Sequence, residues 1–145
     1  MQKILIASDH AGFLLKESLI KKLKDNFDFE DLGTKSTESV DYPDYAHKLS
    51  EKVSSSISAR GVLICGSGIG MSMVANRYKN IRAALCTNEE MAKLSKQHNN
   101  ANVLVLGSRL ISEEEAIKCL LMFFNTNFEG DRHQARLDKF NDVKI

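Results

Sequence analysis

The run Cys65-Gly66-Ser67-Gly68-Ile69-Gly70 sets a thiol directly before three glycines in five residues. Glycines at that density let a chain turn tightly and aim successive backbone N–H groups the same way. Between a strand and a helix, such a loop can hold an anion or a developing oxyanion, because the helix N-terminus adds its own free donors. The familiar loops of this kind do not fit. A dinucleotide fingerprint needs glycine at position 71, where Met71 stands, and no Gly-Lys-Ser/Thr follows as a nucleotide-phosphate loop requires. A serine-hydrolase elbow needs serine where Gly68 lies, and a phosphatase-type loop needs arginine in place of Met71. What is left is a thiol at a strand end beside an anion-ready loop, a setting expected to lower its pKa and supply thiolate near neutrality. Cys65 also fits a plainer role as a small buried strand residue, the role expected for Cys86.

Other polar residues stand at places where chemistry could be done. Asp9-His10-Ala11-Gly12 closes the first strand. Asp9 suits a helix cap, which leaves His10 unexplained. His98-Asn99-Asn100 ends a helical stretch just before a strand. There His98 suits the negative end of a helix, and Asn99 or Asn100 suits a left-handed turn. Arg109 follows Gly107-Ser108, and Arg132 and Arg136 are four apart, on one helix face. Guanidinium forks match phosphate oxygens, although charged helix faces are also ordinary solvated surface. His10, His47, His98 and His133 lack the close sequence spacing of metal ligands, so no metal is expected. Met71, Met73 and Met91 read as fillers of core gaps.

These residues need elements to hold them. Ile4–Ala7, Val62–Cys65 and Val103–Leu106 are short, continuously apolar runs rich in β-branched residues, each ending in a polar or glycine-rich turn, and read as fully buried strands. Weaker strands fit near Phe27–Leu32 and Ile81–Cys86. Between them lies helical spacing: Leu15, Leu19 and Leu23 share one face, with Lys16, Glu17, Lys21 and Lys22 outside it. Pro43 opens a helix over about Pro43–Ser56. Thr87-Asn88-Glu89-Glu90 and Ser112-Glu113-Glu114-Glu115 have the capping-box pattern. A last amphipathic stretch covers about Arg132–Phe140. Strand alternating with helix predicts an α/β fold, a parallel sheet with helices on both faces, and a ligand site beyond the carboxyl ends of the strands.

Composition narrows the function further. A chain of 145 residues is expected to form one domain, 1–145, and to hold its core without staples. Lys and Arg number 20 against 19 Asp and Glu, a balance that speaks against nucleic acid as a partner. The 3 cysteines are widely spaced, with no CxxC, so a disulfide framework is not expected. Neither a signal-peptide core nor a membrane span is visible, and a soluble cytoplasmic protein is the expectation.

Taken in order, Ser8-Asp9-His10-Ala11-Gly12, Asp41-Tyr42-Pro43, Cys65-Gly66-Ser67-Gly68-Ile69-Gly70, Ala75-Asn76-Arg77, Ser95-Lys96-Gln97-His98-Asn99, Gly107-Ser108-Arg109 and Arg132-His133-Gln134-Ala135-Arg136 closely resemble the type B ribose-5-phosphate isomerases. That class shares a family with the galactose-6-phosphate isomerase subunits, and the resemblance spans residues 3–137. It implies a three-layer Rossmann-like sandwich with a five-stranded parallel sheet and a C-terminal helix. It implies interconversion of ribose 5-phosphate and ribulose 5-phosphate with neither metal nor cofactor, in a homodimer or homotetramer whose active sites are shared between subunits. By position, Cys65 would be the base moving the proton between C1 and C2, and His98 the acid/base group that opens the sugar ring. Gly66, Ser67, Gly68, Ile69 and Gly70 would form the anion hole, with Ser67 touching the reacting oxygens. Asp9, His10 and Asn99 would hold the sugar, and Arg109, Arg132 and Arg136 the phosphate. A subgroup that replaces the cysteine with serine uses a glutamate just after the glycine loop. Cys65 and Met71 place this chain with the thiol subgroup. An aldohexose 6-phosphate is an alternative substrate, and a phosphate- or nucleotide-sensing module is an alternative of another class.

Overall fold

The computed structural model describes residues 1–144. Five parallel strands form one sheet: β1 (Lys3–Ser8), β2 (Asp28–Asp31), β3 (Gly61–Cys65), β4 (Ala83–Leu85) and β5 (Val103–Gly107). Their spatial order is β2-β1-β3-β5-β4. Six helices accompany them: α1 (Phe13–Leu23), α2 (Tyr42–Ser54), α3 (Ile69–Ala75), α4 (Glu89–Gln97), α5 (Glu113–Asn125) and α6 (Arg132–Leu137). The three apolar runs became β1, β3 and β5 because side chains on both faces of each find cover. Ile4, Ile6, Val62, Ile64, Leu104 and Leu106 pack with α1, α4 and α5. Leu5, Ala7, Leu63, Cys65, Val103 and Val105 face α2 and α3. The expected three-layer α/β sandwich is therefore present.

The chain leaves β1 in opposite directions, to β2 on one side and β3 on the other. The loops after β1 and β3 thus flank the switch point, where open α/β sheets form their ligand crevice. Among the described residues no helix is long and apolar enough to cross a membrane.

Several local expectations are corrected. The helix expected over Pro43–Ser56 spans Tyr42–Ser54, with Pro43 in its first turn. The cap of α4 is Asn88 rather than Thr87: its side chain accepts the Met91 N–H at 2.9 Å. Ser112 does cap α5, taking the Glu115 N–H, but Glu115 does not close the box. Its carboxylate instead accepts the Glu89 N–H at 2.9 Å and so stabilises the positive end of the neighbouring α4. Lys16, expected outside the apolar face of α1, is fully buried and its ammonium pairs with Asp31 at 2.7 Å and Glu17 at 3.0 Å. Met71 fills the core as expected, whereas Met73 and Met91 are exposed.

Candidate active site

At the carboxyl edge of the sheet, backbone groups tie three loops into one frame. After β1, Asp9 is buried and its carboxylate accepts the Gly12 N–H at 3.0 Å, which tightens the turn into α1. Gly12 sits where a side chain would collide with the Ile64 carbonyl, so this turn lies hard against β3. After β3, the Gly68 N–H points at the Cys65 sulfur at 3.2 Å, and Gly68 takes φ +78° to make that turn. Ser67 Oγ accepts the Ile69 N–H at 3.2 Å. After β5, the Ser108 and Arg109 N–H groups bond to the carbonyls of Cys65 and Gly66, and the Ser108 hydroxyl donates to Ala11. The Arg109 guanidinium lies over Gly66, where a Cβ would come within 2.7 Å of its Nη1.

A fourth segment walls this edge. The His10 Nδ1 accepts the Val40 N–H at 3.1 Å, which fixes the ring's acceptor nitrogen and leaves Nε2 as the donor. Tyr42 packs its ring on Gly70 so closely that a Cβ there would overlap it. Tyr42 belongs to the Asp41-Tyr42-Pro43 motif, but its place against the glycine loop was not read from the sequence, because only the approach of two distant loops reveals it. Together these contacts gather Asp9, His10, Cys65, Gly66, Ser67, Gly68, Ile69, Gly70 and Arg109 at one edge.

The remaining predicted residues lie at the other edge. Register aligns Cys65 with Gly107 and Gly61 with Val103. The chain from His98 to Asn102 runs into Val103, at the amino end of β5. Helix α4 returns antiparallel to β4 and β5, so its last turn, Gln97, also reaches that end. His98 is the C-cap of α4, donating its N–H to Leu94, and Asn100 takes the left-handed turn at φ +46°. The Glu129 N–H donates to Gln97, which brings the segment before α6 alongside. His133 then stacks on His98 with ring centroids 4.5 Å apart, and Arg132 and Arg136 stand exposed on the same short helix. Strands advance about 3.3 Å per residue, so the length of the sheet separates His98, Asn99, Arg132 and Arg136 from Cys65. The resemblance implied active sites shared between subunits, but the motifs did not indicate which residues fall at which edge.

The electrostatics of the edges differ. Burial pushes the Cys86 thiol up to about 11 and that of Cys119 to about 12, so neither serves as a thiolate near neutrality. Cys65 differs in place: it ends a strand and accepts an amide hydrogen from the glycine loop. At the amino edge, burial first, then Arg60 and Arg82, lowers the Lys96 ammonium to about 8. Burial likewise lowers the His133 imidazole, with Arg132, His98 and Arg136 acting in the same direction and Glu129 opposing. A cleft of about 620 Å³ lined by Arg60, Asn80, Arg82, Gln134 and Asp138 also belongs to this edge, away from Cys65. The histidines are far apart in sequence, as read, but the fold brings two of them together: His98, Glu129 and His133 present ligand atoms within 4.8 Å of one another. Sequence spacing missed them because 35 positions separate the two histidines.

Residues 4–140 match the family model described as ribose/galactose isomerase. The ribose-5-phosphate isomerase B of Escherichia coli is 38% identical over 145 residues, covering 99% of this chain and 97% of its own. The crystal structure of a ribose 5-phosphate isomerase from Thermotoga maritima is 50% identical and superposes with a TM-score of 0.94, covering 98% of this chain and 99% of that one. A crystal structure of ribose-5-phosphate isomerase B from Mycoplasma genitalium, with bound ribulose 5-phosphate, is 46% identical with a TM-score of 0.90, covering 94% and 92%.

Proposed function

The chain belongs to the ribose/galactose isomerase family, and on that footing we propose that it interconverts ribose 5-phosphate and ribulose 5-phosphate as a single cytoplasmic domain assembled into a homodimer or larger homo-oligomer. The observation that carries the mechanism is the Cys65 sulfur, seated at the switch point with the Gly68 N–H of the glycine loop pointing at it. As thiolate, it takes the proton from C2 of the open aldose and returns it to C1, while the O2 hydroxyl proton passes to O1. The enediolate formed between these steps is held by the backbone donors of Gly66 to Gly70 and the Ser67 hydroxyl. Fixed donors of this kind are worth roughly 2.7–4 kcal/mol each. Asp9 and His10 hold the sugar hydroxyls, and Arg109 reaches the phosphate.

The rest of the site comes from a second copy. Cys65 and His98 occupy opposite edges of one sheet, so a single chain cannot apply both to one five-carbon sugar. We assign ring opening to His98 of the second copy, a sugar contact to its Asn99, and the phosphate grip to its Arg132 and Arg136. The phosphate, remote from the reacting carbons, supplies binding energy that orients them. Exposed Leu14, Ile69 and Leu110 stand at the carboxyl edge, at the starts of α1 and α3 and just after β5, and exposed Met73 lies one turn further along α3. They supply an apolar rim on which another chain can seat.

The test is turnover of ribose 5-phosphate beside allose 6-phosphate, each with and without chelator. The expected result is efficient turnover of the pentose, weaker turnover of the hexose and no loss on chelation. Tight binding of nucleotides without turnover of any sugar phosphate would instead mark a sensing module. Activity abolished by prolonged chelation and restored by a divalent metal would overturn the thiolate mechanism.

A further inference from the structure

Three ligand atoms converge at the amino edge without bonding one another. His98 Nε2 lies 3.8 Å from Glu129 Oε1, and His133 Nε2 lies 3.6 Å from the same oxygen. Both separations are too long for hydrogen bonds. His133 is 5% exposed, and its Nε2 is buried without a hydrogen-bond partner among the described residues. A buried imidazole nitrogen left unpaired is costly and calls for an explanation. The group is anchored by main-chain bonds: the Glu129 N–H to Gln97, the His98 N–H to Leu94 and the His133 N–H to Gly130.

We infer that His98, Glu129 and His133 form a site for one zinc-class transition-metal ion, and that filling it silences the enzyme. Zinc binds imidazole nitrogen at about 2.0–2.1 Å and carboxylate oxygen at about 2.0–2.2 Å, so tetrahedral ligand atoms stand roughly 3.3–3.5 Å apart. The two histidine–glutamate separations, 3.6 and 3.8 Å, need a few tenths of an ångström of closure, and all three ligand atoms lie within 4.8 Å of one another. Two histidines and one carboxylate leave a fourth position for water. The two rings stack at 18°, so one must turn for both nitrogens to face the ion. His98, with 40% of its side chain exposed, is the ring free to do so. Arg132 and Arg136 stand nearby and repel any cation. Hard ions such as Mg²⁺, which gain little from imidazole, are therefore disfavoured against zinc-class ions. Burial lowers the proton affinity of His133, the direction that favours ligation.

The silencing rests on the ring-opening role proposed for His98: a metal on its Nε2 removes the nitrogen that would move protons. Ion binding itself does not rest on that role, so the two are tested separately. Calorimetry with Zn²⁺ on chelator-treated protein should show one ion per chain. Glu129→Gln and His133→Gln should each weaken binding at least 10-fold, whereas Cys65→Ser should not. Zinc binding undiminished in both variants, or absent from the wild type, would overturn the site. In turnover assays, stoichiometric Zn²⁺ should suppress the wild type, EDTA should restore it, and Glu129→Gln should resist. Full turnover at full occupancy would overturn the silencing and leave the proposed reaction standing.

Discussion

The two edges of the sheet are built by different means. At the carboxyl edge, the groups that matter are backbone amides, a buried carboxylate and a buried thiol. Bonds from Ser108 and Arg109 to the β3 loop, and from Ser108 to Ala11, lock three loops together. At the amino edge, the groups are side chains at the end of α4 and on α6, several of them exposed, and cations accumulate around Arg60, Arg82 and Lys96. A site that stabilises a developing charge needs donors that do not move, and interlocked main chain supplies them. A grip on a phosphate tolerates mobile arginines, because charge and fork geometry do most of the work. On the proposed reading, the contrast explains how one small chain can carry both parts of a reaction that two copies complete together.

The comparison breaks most severely at the thiol. Cys65→Ala should lower turnover at least 10²-fold, the low end for a general base, on ribose 5-phosphate and erythrose 4-phosphate alike. Steady-state kinetics on both sugars check it, and unimpaired turnover would move the base elsewhere. At the opposite edge, His98→Asn should cost of the order of 10²-fold on ribose 5-phosphate and far less on erythrose 4-phosphate. The four-carbon sugar cannot close a furanose because its phosphate occupies the necessary hydroxyl. Equal losses on both sugars would assign His98 to proton transfer between the substrate oxygens instead.

Smaller effects separate the edges by what holds them. A lysine whose folded pKa falls from 10.5 to about 8 destabilises the fold while charged. That cost is present below pH 8 and disappears as the pH rises through 8 to 10.5. Lys96→Met should therefore be more stable than the wild type below pH 8, by up to about 3 kcal/mol, with the gap closing by pH 10.5. Denaturant unfolding at several pH values checks the slope, and a pH-independent gap would contradict the charge argument. Gly68→Ala should cost about 1–2 kcal/mol for its left-handed φ, with further strain where a Cβ would come within 2.5 Å of Leu85. Turnover should fall as well, because the N–H facing the sulfur is re-aimed. A loss of stability with kcat intact would show that this donor is dispensable.

Much of the carboxyl edge was legible because its signals are local. Apolar runs marked β1, β3 and β5, and glycine density marked the loop that turns over Cys65. A left-handed asparagine after His98, either Asn99 or Asn100, was expected, and the turn is made by Asn100. The amino edge was less legible because it is made by convergence. Nothing near Glu129 or His133 in sequence announces that α6 returns to the end of α4. Lys16 escaped notice because helical spacing puts a charge outside the apolar face. Only the docking of α1 beside β2 supplies the Asp31 that allows its burial. The capping pattern slipped by one residue at Asn88 because Thr87 and Asn88 are both good caps, and sequence alone does not choose between them.

The central claim is that each site joins the carboxyl edge of one chain to the amino edge of another. Cys65→Ala and Arg136→Ala, each nearly inactive alone, should regain activity when mixed under conditions of subunit exchange. In a two-fold dimer, half of the random pairs are hybrids and each hybrid keeps one intact site, so about a quarter of wild-type activity should return. No recovery, with exchange demonstrated by native mass spectrometry of differentially labelled chains, would place the thiol and the arginine in the same chain's site and contradict the account.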